Sequence, residues 1–379
     1  MKILFVKWSE YENLSWVKEL KKQGHTVICV NLMICTIEDQ QIERKLQNII
    51  EKNQIEALCT YNFFPVLSVV ASNCNCIYIA WVFDSPLLHL YSNQIINSCN
   101  YIFLFDKKQY QEFKKEGINT VYHLPLAGDE NIIVNHENYI HDITFIGSLY
   151  RGNNFYDQIR FLPQQLKGYL EAIMEAQRRI YGYFIIPDLL TDDIINDVKR
   201  YIKISLDSQY WVDDKIVFAS LFLAKKLANI ERESMLVTIS KKYKINLYSN
   251  EELIRNNINN CGVISYGNEM YQLFNQSKIN INSTLRCIQS GVNLRTMDIL
   301  SAGGFCLTNY QEELSEQFDI GKDLIVYENE NDLLSKIEYY LVHDDLRKEI
   351  ANNGRNRVLN EHNYAQRVKY IMNIISLKE

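Results

Sequence analysis

Apolar positions along the first 125 residues alternate between two rhythms. Short apolar runs, rich in β-branched and aromatic residues, lie at 3–6, 26–30, 57–60, 77–83, 101–105 and 121–124. Residues 16–22 repeat their apolar positions at helical spacing, and Gly24 supplies the stop, because glycine takes the left-handed conformation past a helix end without steric cost. Residues 42–50 predict a second helix. Strands separated by helices predict βαβ units, and so a parallel sheet covered on both faces.

The rhythm resumes at residues 143–146, ended by Gly147, and predicts later strands at 245–248, 263–266, 279–281, 305–308 and 324–327. Residues 153–227 carry few turn signals and are rich in Leu, Ile, Lys, Gln and Asp, which reads as a helical insertion. Leu162, Leu166 and Leu170 stand at i, i+4 and i+8, an apolar stripe that must be buried. It packs either on its own domain or across an acceptor site or a second copy of the chain. From 331 onward the pattern is helical, with Leu333, Ile337 and Leu341 on one face. A last helix, 366–375, follows His362-Asn363-Tyr364.

A chain of 379 residues is long for one core, so two domains are expected. The boundaries read as 1–135, 136–365 and a terminal helix, 366–379. The formal charge of −6 argues against a nucleic-acid partner, which calls for a basic excess, and against general binding to anionic membranes. The apolar runs, such as 66–71 and 221–224, are too short to span a bilayer. The opening MKILFVKW reads as a first strand and not as a signal peptide. The expected location is the cytoplasm. Cys29, Cys35, Cys59, Cys74, Cys76, Cys99, Cys261, Cys287 and Cys306 form no CxxC pair and mostly lie in or beside apolar runs. Reduced, buried thiols are the reading, and neither Cys74-Asn-Cys76 nor any other group is expected to hold a metal.

The chemistry concentrates in residues 283–308, STLRCIQSGVNLRTMDILSAGGFCLT. A polar loop enters a short helix there, and a helix N-terminus offers free N–H groups and partial positive charge to a diphosphate. Arg295, in the first turns, can clamp phosphate oxygens. Asp298 follows three residues later on the same face and can accept from two ribose hydroxyls. The plainer reading of the two is a surface ion pair. Gly303-Gly304 permits a close backbone approach to a ligand, or simply ends the helix.

These residues resemble a known family. GVNLRTMDILSAGGFCLTNYQEEL, then FDIGKDLIVYENENDLLSKIEYYL, then Arg347, Ile350-Ala351, Gly354, Val358, His362, Tyr364 and Arg367 look like the CgeB-like glycosyltransferases of the spore-maturation type, related to group 1. AWVFDSP at 80–86 is similar to that family's Trp-x2-Asp-x-Pro element. The resemblance implies an α/β GT-B fold: two Rossmann-like domains facing across a cleft, here with the helical insertion in the second. The first domain would shape the acceptor site, the second would bind a nucleotide-sugar, and the last helix would cross back. The implied substrate-binding residues are Gly147, Ser148, Arg151, Tyr266, Gly267, Asn282, Ser283, Asn293, Asp298, Gly303 and Gly304. In this reading Gly147 and Ser148 flank the diphosphate and Tyr266-Gly267 meets the base.

The family pattern often has two acidic residues eight positions apart. Asp298 takes the second place, but Ser290 stands at the first, so the usual contact to a sugar hydroxyl is missing there or comes from elsewhere. Asp84 is the candidate general base for an acceptor hydroxyl. It ends a strand at the edge where parallel sheets bind ligands, although Asp-Ser-Pro is also a good turn and helix-cap sequence. His123, at another strand end, is read as structural.

The implied reaction is transfer from a nucleotide diphosphate sugar, UDP on family grounds, to a hydroxyl of a glycan, protein or small molecule. Catalysis would fall to Asp84 and Arg295, with Arg151 and the helix N-terminus sharing the departing charge. No DxD lies near a strand end, since Asp192-Asp193 and Asp213-Asp214 sit in the helical segment. No metal and no cofactor is therefore expected. Two rivals remain: a GT-B-fold sugar-nucleotide epimerase, and a catalytically silent sugar-nucleotide-binding or scaffolding member. The 25 tyrosines are spread along the chain and do not read as a carbohydrate platform.

Overall fold

A computed structural model describes residues 1–8, 14–34, 39–133, 138–152, 154–159, 161–204 and 210–377. Cys35 and Asn153 lie outside them. The chain divides into two compact units. Unit 1 is Met1–Ala127, Leu206–Val212 and His362–Glu379, and unit 2 is Gly128–Ser205 and Asp213–Glu361.

Unit 1 holds strands β1 (Lys2–Lys7), β2 (Thr26–Asn31), β3 (Ala57–Tyr61), β4 (Ile77–Val82), β5 (Asn100–Leu104) and β6 (Val121–His123). All pair in parallel, in the order β2-β1-β3-β4-β5-β6. The inner strands β3 and β5 are buried along their whole length, as strands covered on both faces must be. Helices α1 (Ser15–Lys22), α2 (Gln40–Asn53), α3 (Pro65–Asn73) and α4 (Lys107–Lys115) make the crossovers. In α2 the buried residues are Ile42, Leu46 and Ile50, and the Asp39 carboxylate caps the first turn by accepting from the Gln41 and Ile42 amides. Gly24 follows α1 at φ +90°, a conformation open to glycine. The sequence spacing predicts neither α3 nor α4. Both are local in origin: α3 starts on a proline at its first turn, and Asp106 caps α4.

In unit 2, strands β7 (His141–Ile146), β8 (Ile245–Tyr248), β9 (Ile258–Gly262), β10 (Ser277–Asn282), β11 (Cys306–Asn309) and β12 (Ile325–Tyr327) run parallel in the order β12-β11-β10-β7-β8-β9. The strand expected at 263–266 is therefore displaced to Ile258–Gly262, and Val263 is 75% exposed. The strand β9 is an edge, paired only with β8, so Asn259 and Asn260 are tolerated where an inner strand would need apolar residues.

Between β7 and β8 lie α5 (Gln164–Arg178), α6 (Ile186–Leu189), α7 (Asp192–Lys199), α8 (Asp214–Val217), a π turn (Phe218–Leu223) and α9 (Ala224–Ser240). The described part of 153–227 is mainly helical, but the helical stretch does not end at 227. It continues into α9, whose Met235, Leu236 and Ile239 belong to the core of unit 2. Leu166 and Leu170 are buried in α5, whereas Leu162 precedes that helix and is half-buried. The remaining helices are α10 (Asn268–Asn275), α11 (Leu294–Ser301), α12 (Leu314–Gln317), α13 (Glu330–Val342), α14 (Asp344–Glu361) and α15 (Tyr364–Ser376). In α13, Leu333 and Ile337 are buried. The last helix, α15, packs within unit 1: Gln23 donates to the Ala365 carbonyl at 3.1 Å and Arg367 to that of Pro125 at 2.9 Å. Among the described residues, no helix is long and apolar enough to cross a membrane.

Candidate functional site

In unit 2 the chain winds outward in one direction from β7 and in the other from β10, although the two strands are neighbours. Ligands of open α/β sheets bind outside the strand carboxyl ends at such a reversal. The loops there begin with Gly147-Ser148 after β7 and with Ser283-Thr284 after β10. Arg232, from α9, ties them together by donating to the carbonyls of Ser148 and Ser283, both at 2.6 Å.

The loop after β7 closes around a side chain of its own unit. The Glu251 carboxylate accepts from Ser148 Oγ at 3.0 Å and from the amides of Leu149 (2.6 Å), Arg151 (2.6 Å) and Gly152 (2.9 Å). Burial raises its pKa, but the amides and Ser148 outweigh burial and hold the carboxyl below its usual range. Arg151 is also committed, to the Glu233 carboxylate and the Glu252 carbonyl. The donors that the sequence offered to a diphosphate here are thus met by protein groups.

A cavity of about 1000 Å³ opens beside the ends of β10, β11 and β12. Ser283, Asn309, Tyr310 and Tyr327 line it from the sheet, Arg178 and Tyr181 from the end of α5 and beyond, Glu231 from α9, and Asn331 from α13. Arg286 crosses the cavity wall. Its guanidinium lies 3.5 Å from the Tyr181 ring centroid and 2.8 Å from the Glu231 carboxylate. Arg178 pairs with Glu175 and Glu330 at 2.8 and 3.3 Å. The Tyr327 hydroxyl donates to the Asn282 carbonyl, and burial pushes that phenol well above its usual range. Sequence reasoning missed nearly all of this lining. No spacing links positions 181, 231, 286 and 310, and only the fold gathers three of the dispersed tyrosines into one cavity.

The remaining candidates form a second cluster around α11. Asn293 caps that helix by accepting from the Thr296 amide. The Asn282 amide nitrogen lies 3.0–3.1 Å from Asn293 Oδ1, Thr296 Oγ1 and Thr308 Oγ1. Both asparagines serve the loop's interior. Asp298 is buried, and it accepts from the hydroxyls of Tyr266 (3.1 Å) and Tyr271 (3.4 Å) while Arg295 stands 3.7 Å from its other oxygen. Burial raises this carboxyl to about 6, against the pull of Arg295 and the two phenols. The Arg295 side chain keeps 27% exposure. Gly267 precedes α10 at φ +112°.

Gly303 and Gly304 make the turn from α11 into β11, at the amino end of the sheet. A side chain on Gly304 would meet the Phe274 carbonyl at 2.8 Å, so the pair serves packing and lies away from the strand carboxyl ends. Ser290 bonds Glu313 at 2.8 Å, which sets a buried carboxylate beside the position where the family pattern has its first acid.

In unit 1, Asp84 is exposed just past the end of β4. The Asn62 side-chain amide donates to its carboxylate at 2.7 Å, and the amides of Phe83 and Asp84 donate back to Asn62 Oδ1. Ser85 caps no α-helix. It donates to Asp106 at 3.0 Å. The eight described cysteines are free. Among the described residues, no group of three or more His, Cys, Asp or Glu could hold a metal ion.

Residues 231–373 match a glycosyl transferase-like family. No curated protein matches the chain. Solved structures align over nearly its whole length. A glycosyltransferase from Rickettsia africae has TM-score 0.53 at 14% identity, covering 98% of this chain and 97% of that one. Sucrose-phosphate synthase from Thermosynechococcus elongatus has TM-score 0.58 at 6% identity, covering 100% and 98%. Anabaena HepE, in complex with UDP and glucose, has TM-score 0.54 at 9% identity, covering 100% of both chains. The fold is GT-B, two Rossmann-like domains, and the family match covers the later half of the second and runs into the terminal helix of the first.

Proposed function

We propose that this GT-B glycosyltransferase moves a sugar from a nucleoside diphosphate sugar of the UDP type to an acceptor hydroxyl, without a metal. The observation that carries the reading is the switch point of unit 2. The carboxyl ends of β10, β11 and β12 flank α11, which carries Arg295 and Asp298, within the part of the chain that matches a transferase family. The likeness to HepE, captured with UDP and glucose, supports the choice of donor.

Transfer requires the acceptor oxygen to attack the anomeric carbon while the bond from that carbon to the diphosphate breaks. Negative charge grows on the departing diphosphate. We assign that charge to Arg295, whose guanidinium is partly exposed, 3.7 Å from the buried Asp298 carboxylate and in contact with Met270 Sδ. Asp298 is assigned to the ribose hydroxyls, which would replace the phenols of Tyr266 and Tyr271. Asp84, oriented by Asn62, is assigned to the acceptor proton. The finer placement among CgeB-like enzymes rests on the residues that carry that resemblance.

One observation favours a second reading, a silent sugar-nucleotide-binding member: Glu251 already fills the amide nest after β7. Nucleotide release from a panel of sugar nucleotides, with and without acceptors, separates the readings. A transferase frees the nucleotide in the presence of its acceptor. A silent member binds without release, and an epimerase alters the sugar while the nucleotide stays attached.

A further inference from the structure

The cavity beside β10, β11 and β12 is charged on paper and neutral in effect. Three arginines line it against four glutamates. Each arginine faces a carboxylate: Arg178 pairs with Glu175 and Glu330, Arg286 with Glu231, and Arg179, at the exposed rim, with Glu175. Glu330 in turn accepts from Ser234 at 2.5 Å and Thr238 at 2.7 Å. A phosphate or carboxylate entering the interior would meet only the paired guanidiniums of Arg178 and Arg286 and a slight excess of acid. It would lose its hydration without gaining a partner.

What the cavity offers instead is aromatic surface beside fixed polar groups. Tyr181 is clamped under Arg286 at 3.5 Å. Tyr310 lies against Gly182, where even a Cβ would come within 3.4 Å of its ring. Asn309 is fixed through its side-chain oxygen, which accepts from the Thr284 amide at 2.7 Å. Rings that present an apolar face, next to amides, hydroxyls and neutralised ion pairs, suit a molecule with many hydroxyls and no charge. At about 1000 Å³ the volume reaches the upper end of the ~300–1,000 Å³ usual for small-molecule sites, which leaves room for more than one sugar ring.

We infer that this cavity is a binding site for a short, uncharged oligosaccharide, with Tyr310 and Asn331 among its recognition residues, and that it discriminates against uronic acids and phosphorylated sugars. Its part in catalysis rests on the transfer reaction proposed above. The binding claim stands on the cavity alone.

Saturation-transfer NMR on the full chain tests it, with maltotriose, cellotriose and tri-N-acetylchitotriose as neutral probes and trigalacturonate as the charged one. At least one neutral trisaccharide is expected to bind, with trigalacturonate at least tenfold weaker. Tyr310→Ala and Asn331→Ala should each weaken the neutral probe at least fivefold at unchanged melting temperature. If Tyr310→Ala fails to fold, the exposed Asn331 decides the matter. Absence of binding by all three neutral probes, equal binding of trigalacturonate, or full retention by a folded variant overturns the inference. Nucleotide release from the donor panel is scored separately. A chain that releases nucleotide but binds no neutral trisaccharide keeps the transfer reading and loses this one. Binding without release does the reverse.

Discussion

The hydroxyl of Tyr266 stands 3.1 Å from a carboxylate oxygen of Asp298, and the carboxyl it meets is buried. Burial holds the Asp298 pKa at about 6, above its ordinary 3.8. A raised carboxyl pKa costs nothing while both the folded and unfolded forms are protonated. The cost appears as pH rises through 3.8, because only the unfolded chain ionises, and it is complete above about 6. A shift of this size corresponds to about 3 kcal/mol. Asp298→Asn should therefore gain stability relative to wild type between pH 4 and pH 6.5, by up to about 3 kcal/mol. Urea denaturation of both proteins at the two pH values measures this. A pH-independent difference would mean that Asp298 ionises freely in the folded protein.

Glu251 predicts the opposite slope. Its carboxyl is held below the ordinary 4.5 by the amides of the loop after β7, so its contribution is present above that value and fades as pH falls through the folded pKa. Glu251→Gln should melt below wild type at pH 7, and the two melting curves should converge as the pH falls below 4. A gap that stays constant down to pH 3 would show that the amide nest does not depend on the charge.

Arg295 bears on the chemistry. Its side chain is 27% exposed and faces the Asp298 carboxylate at 3.7 Å, so Arg295→Ala should still fold. Loss of a preorganised donor to a departing diphosphate lowers turnover by ~10²–10³. The expectation is a loss of that size in kcat/KM in a protein that keeps a cooperative melting transition, lowered at neutral pH where Asp298 has lost its cation. Wild-type turnover in the variant would remove Arg295 from the site.

Metal independence is tested by chelation. With guanidinium and helix N-terminus assigned to the leaving charge, EDTA should leave nucleotide release unchanged. Complete inhibition reversed by Mg²⁺ or Mn²⁺ would require a metal in the reaction.

The sheets were legible because parallel strands buried on both faces leave unbroken apolar runs, as in β3 and β5. The edge strand β9 was not, since an edge needs no such run and its INNCG reads as a loop. Arg295 and Asp298 could be placed on one helix face because that face follows from local spacing. Their neighbours Tyr266 and Tyr271 come from another loop and helix, and no local pattern brings them to Asp298. Arg232, Glu251 and Arg286 share this feature. Each acts on a loop far away in sequence, so its partner exists only once the sheet has formed.

Gly304 separates packing from ligand contact. In the sequence, Gly303-Gly304 allows either a close approach to a ligand or a helix end. In the structure, a Cβ on Gly304 would sit 2.8 Å from the Phe274 carbonyl and 2.8 Å from the Asn280 side-chain nitrogen. That nitrogen is itself bonded to the Phe274 carbonyl, so neither neighbour can retreat without breaking a buried hydrogen bond. Overpacking of this kind costs ~1–3 kcal/mol. Gly304→Ala should therefore lower the melting temperature while leaving the donor KM within twofold of wild type, because the turn lies at the amino end of β11 and the proposed donor site at the carboxyl ends. Gly303→Ala should also destabilise, for a different reason: its φ of +69° is strained for any residue with a Cβ. A Gly304→Ala protein that melts like wild type but needs far more donor would instead place the glycine against the nucleotide.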